Sequence, residues 1–234
     1  MMFDMYNTKI KHYPDHSTMS VASRCLYKDP NSPTVPREWR RGEKHNTDDP
    51  RDDSSHRAKT TVFDIAALND FDYFVTWTID PKQIDSKDAA IVSKKLRSFL
   101  NNMRARYNMS YVVIPERHIK GGIHLHGLIR GDIQLVDSGH KTKAGQTIYN
   151  MPQWKFGFST AIPLYGDKQN VAKYITKYIS KDFQKIFGNF YYAGGDIKRH
   201  PDFDICDVDF ESVVAKEVYI KKLAVSMKYK DIEV

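Results

Sequence analysis

From residue 58 onward the chain alternates between short apolar runs and longer stretches in which apolar residues return every third or fourth position. "FDYFVTWTI" (71–79) is rich in aromatic and β-branched residues and predicts a buried strand, ended by Asp80-Pro81. Between Ser86 and Tyr107 the apolar residues Val92, Leu96, Phe99, Leu100, Met103 and Tyr107 recur at steps of three and four. That is the period of an amphipathic helix, and it leaves Lys94, Lys95, Arg97, Arg104 and Arg106 mostly toward water. "SYVVIPE" (110–116) predicts a second strand and "GIHLHGLIR" (122–130) a third, after a Gly-Gly turn. A lysine- and glycine-bearing loop then leads to a strand at "FSTAIPL" (158–164) and a second helix from about Asn170 to Phe187. Strands followed by a helix, twice over, indicate an α+β sheet with helices on one face. The terminal "VYIKKLAVSMKYK" fits helix and strand equally.

Before residue 58 this patterning is missing. Five of the ten prolines fall in residues 1–57, and "DPNSPTVP" and "NTDDPRDDSSHR" mix turn formers with both charge signs. We expect an extended or partly disordered arm over 1–57, a folded domain over 58–200 and an extension of open structure over 201–234. In the arm, "PREWRRGEK" joins Trp39 to Arg37, Arg40 and Arg41, which suits either clamping nucleic acid or tying a linker to the main domain. No apolar run approaches the ~20 residues of a membrane span, and the first residues lack the apolar stretch of a signal peptide. Cys25 and Cys206, two and far apart, read as reduced thiols, which implies a cytosolic chain. Charge sharpens the division. Residues 1–70 are neutral, with 11 basic and 11 acidic residues, so the whole net +7 lies in residues 71–234. A basic excess confined to the patterned part fits a polyanionic partner.

The third strand raises a chemical question. Alternate residues of a strand point to opposite faces, so Ile123, Leu125 and Ile129 share one side and His124 and His126 the other. At a rise of ~3.3 Å per residue the two histidine Cα atoms lie roughly 6.7 Å apart, close enough for both imidazoles to reach one ion. The preceding strand ends in Glu116, and if the strands pair through "RHIKGG" its carboxylate sits beside them. Two imidazoles and a carboxylate make a divalent-metal site with open positions. His118 is a rival third ligand and Asp80 a more distant one. The bland alternative is a pair of satisfied polar groups on an exposed sheet face.

The second helix adds nucleophiles. In "NVAKYITKYISKDF", Tyr174 and Tyr178 lie four residues apart, each followed three residues later by a lysine, Lys177 and Lys181. At ~100° per residue, Val171, Ala172, Ile175, Ile179 and Phe183 form the buried stripe, the tyrosines meet at its edge and the lysines line the next strip outward. A phenol with a pKa near 10 is a poor nucleophile at neutral pH without help. A polarised phosphate and nearby ammonium groups supply it.

Taken together, "IHLHGLI" followed by "VAKYITKYISK" resembles the HUH endonuclease superfamily, and within it the rolling-circle replication initiators of small phages and plasmids. The family's histidine–hydrophobic–histidine motif matches His124, Leu125 and His126, and its tyrosine motif matches twice in overlap, as in the two-tyrosine phage type. "FDYFVTWTI", with Thr76 and Thr78, resembles the family's first motif. In the prophage type an acidic residue shortly before the histidines completes the metal site, a role carried here to Glu116. The resemblance covers roughly residues 58–195. It implies a four- to five-stranded antiparallel sheet with helices packed on it, ferredoxin-like or RRM-like. His124, His126 and Glu116 would bind Mg2+ or Mn2+. Tyr174 and Tyr178 would attack DNA in turn, and Lys177 and Lys181 would steady phosphate or phenolate. The implied partners are single-stranded DNA at a replication origin and host polymerase and helicase, in the cytoplasm of a bacterial host, with no membrane.

Further nucleic-acid contacts are expected from Lys173, Lys155, Arg130, Lys198 and Arg199, with Trp154, Tyr191 and Tyr192 offering aromatic surface. Two readings of the same chemistry stay open, a relaxase and an HUH transposase. Two others come from different classes: a non-catalytic single-stranded nucleic-acid binder, and a metal-dependent hydrolase that uses water. No Walker-type loop for a helicase is found.

Overall fold

A computed structural model of the chain describes residues 4–28, 52–118, 121–180 and 186–208. These divide into two units. The smaller joins residues of the first 48 with those from Pro201 onward, and the larger runs from Asp49 to His200. In the smaller unit β1 (Asp4–His12) and β2 (Ser17–Lys28) form an antiparallel hairpin, and β10 (Asp202–Cys206) adds to the free edge of β1. Part of the expected arm is therefore strand. "PREWRRGEK", Lys181, Phe183 and the terminal "VYIKKLAVSMKYK" lie outside the described residues.

The larger unit holds α1 (Asp52–Leu68), β3 (Tyr73–Thr78), α2 (Ala89–Tyr107), β4 (Ser110–Arg117) and β5 (Ile123–Arg130). It continues with β6 (Val136–Lys141), β7 (Thr147–Asn150), β8 (Ser159–Pro163), α3 (Lys168–Ser180) and β9 (Tyr192–Gly194). The strands make one antiparallel sheet in the order β6-β7-β8-β3-β5-β4-β9. The α+β architecture and antiparallel sheet are as expected, but the sheet has seven strands and not four to five. The additions are β6 and β7, which carry exposed polar residues and little apolar alternation, and the three-residue β9.

Helices cover both faces of this sheet, not one. α2 packs Val92, Leu96, Phe99, Leu100 and Met103 against Val75, Trp77, Val113, Ile123, Leu125 and Ile129, which all point the same way by strand alternation. The opposite face takes α3, which lies across β4 and β5 and packs along α1. Local chemistry sets the helix ends. Asp88 accepts hydrogen bonds from the amides of Ala90 and Ile91 at 2.8 and 3.0 Å and caps the start of α2, and Asn108 ends it in the left-handed region at φ 50°. Asp167 accepts from the Gln169 amide at 2.7 Å at the start of α3. That helix is described to Ser180, while Ile186 and Phe187 lie in a turn, so it does not extend to Phe187.

One backbone approach matters for the site. At Gly157 (φ +150°) a Cβ would lie 2.3 Å from the Thr78 carbonyl oxygen, so only glycine lets the start of β8 close onto the end of β3. The Thr78 amide then donates to Phe158 O at 2.8 Å. No described helix is long and apolar enough to cross a membrane.

Candidate active site

Register builds the site. In the three central strands Thr78 lies opposite His124 and His124 opposite Glu116, while Thr76 lies opposite His126 and His126 opposite Ile114. Strand alternation turns these two rows away from α2, toward the face that α3 covers. Gly127 follows the histidines on the other side, where a Cβ would meet Val112 O and Val113 Cγ2 at 3.0 Å each, so β5 can be squeezed between its neighbours there.

His126 is buried, at 7% exposure, and both its ring nitrogens are engaged. Nε2 lies 2.8 Å from Glu116 Oε2 and Nδ1 lies 3.2 Å from the Thr76 hydroxyl, so the imidazole orientation is fixed from both sides. His124 is more open, stacked on His118 with ring centroids 5.1 Å apart and 6.5 Å from the His126 ring. Burial, then the neighbouring His118, pulls the His124 imidazole below the usual histidine range, against an opposing pull from Glu116. That favours the neutral ring. Two imidazoles and a carboxylate on adjacent register rows are the right donors for a divalent cation, and a neutral imidazole is the ligand form. In this conformation Glu116 and His126 are closed on one another. Among the described residues no three His, Cys, Asp or Glu side chains converge as a ligand set.

α3 brings its tyrosines to this spot. Ala172, Ile175 and Ile179 are buried as the stripe predicts. The Tyr178 ring stacks on His126 with centroids 3.9 Å apart and planes 18° off parallel, and its hydroxyl donates to the Tyr174 hydroxyl at 3.0 Å. Burial first, then the bond to Tyr174 and the charge of Glu116, push the Tyr178 phenol well above its ordinary value near 10. Tyr174 is 47% exposed and meets Tyr178 edge to face. Lys177 extends over the Tyr174 ring, its Nζ 6.0 Å from the centroid. Lys173, on the exposed side of the same helix, donates to Gln169 Oε1 at 3.0 Å.

Other expected contact residues are elsewhere. Trp154 is a core residue and not a surface for bases: it stacks on Trp77, stands edge-on to Phe99 and donates its indole N–H to Thr78 O at 3.1 Å. Lys155 is exposed on the α2 side of the sheet, the face opposite the tyrosines. Arg130, at the far end of β5 from the histidines, donates to the Asp196 carbonyl. Arg199 donates to Ala193 O at 3.0 Å and shares a cavity of about 450 Å3 with Tyr191 and Tyr192. The Lys198 backbone is clamped by the Asn69 side chain at 2.8 and 2.9 Å. Asp80 serves the turn after β3, accepting from Lys82 N at 2.9 Å.

Two residues were overlooked in the sequence. Phe74 meets Tyr174 edge to face at 5.2 Å and lies 6.1 Å from the Tyr178 ring, so it seats both phenols. Its place two residues before Thr76, on the histidine side of β3, was the available signal. Phe158 is 75% exposed, and alternation along β8 puts it on the face of Thr160 and Ile162, next to Thr78. An apolar residue left outside the buried pattern of "FSTAIPL" was the clue.

Fold and site together define an α+β sheet protein in which a histidine pair and a carboxylate on central strands meet two helix-borne phenols. The family model for replication-associated proteins of the ORF2 and gene-II-protein type matches residues 72–183, somewhat less than half of the chain. That stretch begins just before β3 and ends just past α3, so it contains every site residue named above, and it is similar to replication initiators. No curated protein and no solved structure matches the chain.

Proposed function

We propose that the protein initiates rolling-circle replication by nicking and rejoining single-stranded DNA at an origin, through a covalent 5′-phosphotyrosine. The observation that carries this reading is the contact of α3 with β5: the Tyr178 ring rests 3.9 Å from His126, with the Tyr174 hydroxyl one hydrogen bond further out. A helix that only rimmed the core would have no reason to deliver two phenols to the polar rows. The family match over the same stretch supports the replication context.

In this reading His124, His126 and Glu116 would hold Mg2+ or Mn2+, which supplies Lewis-acid polarisation of the scissile phosphate when bound. The chain's own residues do the rest. Thr76 keeps His126 in one orientation. One phenol oxygen forms the bond to phosphorus while the bond from phosphorus to the 3′ oxygen breaks. The phenolic proton leaves, and the released 3′ oxygen takes up a proton to become the hydroxyl that a host polymerase extends behind a host helicase. The second phenol, within hydrogen-bond reach of the first, accepts the strand after one round. Lys177 neutralises charge beside Tyr174, and Lys181 extends the same strip. Phe158, exposed beside Thr78, offers a ring on which an unpaired base next to the reacting phosphate can stack.

The test is cleavage of single-stranded DNA from the protein's own replicon in the presence of Mn2+. Nicking that chelator stops and that His126→Ala loses supports the reading. Cleavage that survives in the Tyr174→Phe, Tyr178→Phe double variant points to water as nucleophile and overturns it.

A further inference from the structure

The face of the sheet opposite the tyrosines carries a second concentration of nucleic-acid chemistry. α2 has five basic residues (Lys94, Lys95, Arg97, Arg104 and Arg106) and no acidic one, and all five are exposed. A basic amphipathic helix needs no such purity to be soluble; mixed charges with i,i+4 pairs serve better. Beside it lies a cavity of about 400 Å3. Its floor is the buried Met103, its walls are Phe156 and Tyr107, and its rim carries Asn102, Arg106, Gln134 and Lys155. Among the described residues no carboxylate lines it. Lys95, Asn102 and Arg106 follow one another along the helix edge, and the Lys95 ammonium stands 5.7 Å from the Phe156 ring. The acidic residue tied to that end of the helix is Asp132, through its amide bond to Tyr107 O.

We propose that this face is a second binding site for single-stranded DNA, separate from the site of Tyr174 and Tyr178. Arg106 and Lys155 contact backbone phosphates. An unpaired base enters the cavity, its face against Phe156 and its edge toward the amides of Asn102 and Gln134. An acidic protein would satisfy the cations but leave the aromatic wall and amides without a purpose. A duplex hides both the base faces and the pairing edges that the pocket can read. The site goes beyond the nicking reading: it would hold a stretch of the strand remote from the reacting phosphate, and it does not depend on covalent chemistry.

The experiment compares Arg106→Ala, Lys155→Ala with the parent. Both carry the double tyrosine-to-phenylalanine change, so that binding is read without reaction. Anisotropy of a labelled single strand of about 30 nucleotides should show roughly tenfold weaker binding. The salt slope should fall by about 1.4, the value for two lost phosphate contacts on a single strand. Bromodeoxyuridine in the strand should photo-crosslink to the peptide that contains Lys155 and Phe156. Lys155→Glu, a change at an exposed position, should lower affinity further with an unchanged melting temperature. With the tyrosines restored, adduct formation on a short oligonucleotide should be the same with and without the two alanines. Parent-like affinity and slope, an equal loss on blunt duplex, or a loss seen only with a polyglutamate probe would each overturn the proposal. A failure of the nicking reading would appear instead as absence of adduct in the parent, with the binding difference intact.

Discussion

The two faces of the seven-stranded sheet are built by the same strands, and they have opposite characters. On the α2 side, Leu125 of β5 is fully buried among Trp77, Leu96 and Trp154, in a cluster of apolar side chains. One residue to either side, His124 and His126 face α3 over Thr76, Thr78 and Glu116. The α2 face does the work of folding; the α3 face keeps polar groups that would cost stability if left unsatisfied, and holds them by hydrogen bonds and ring stacking. A strand with period two lets one sequence supply a core and a reactive surface at once, each free to vary without the other.

That separation makes definite predictions. The Tyr174→Phe, Tyr178→Phe double variant should form no covalent DNA adduct while melting within a few degrees of the parent, because neither hydroxyl is in the core. Trp77→Ala should do the reverse. Removing a fully buried indole from the α2 face should cost about 3–5 kcal/mol in urea unfolding, whereas the protein that remains folded should keep its chemistry. His126→Ala should reduce adduct formation by more than the roughly 10–100-fold lost with a supporting residue at a metal site, and should shift stability far less than Trp77→Ala does. The smallest effect is expected from Phe158→Ala. Losing one exposed stacking ring should weaken single-stranded DNA binding by about 1–2 kcal/mol, measured by anisotropy at fixed salt, with no change in unfolding midpoint. If Trp77→Ala and His126→Ala prove interchangeable in their effects on stability and activity, the division between the faces is wrong.

How much of this was legible without coordinates depends on whether a residue's signal is local. The apolar period of α2 and the aromatic and β-branched run of β3 are local signals, and both elements were readable within a few residues. Alternation put His124 and His126 on one face, and four-residue spacing put Tyr174 beside Tyr178. Glu116 was named only on the condition that β4 pairs with β5, and the register sets it directly opposite His124. What escaped notice depends on contacts distant in sequence. α1 was seen only as the onset of order, because its start lies among the polar residues of the expected arm. β6, β7 and β9 are short or polar and owe their strand form to neighbours already in place. Trp154 looked like a surface for bases because a tryptophan beside a lysine suggests one; its burial against Trp77 is a tertiary fact. The closing of Glu116 onto His126 is likewise a matter of side-chain conformation, which spacing does not report.

The central claim is that the phenols of α3 react at the histidine rows. The most direct test is to incubate the full-length protein with 3′-labelled single-stranded DNA from its own replicon and Mn2+, denature it, and map any linked peptide by mass spectrometry. The account predicts a denaturation-resistant adduct on Tyr174 or Tyr178, carried through a 5′ phosphate and lost when the metal is chelated. Cleaved DNA with no linked peptide, or an adduct on a tyrosine outside α3, would contradict it.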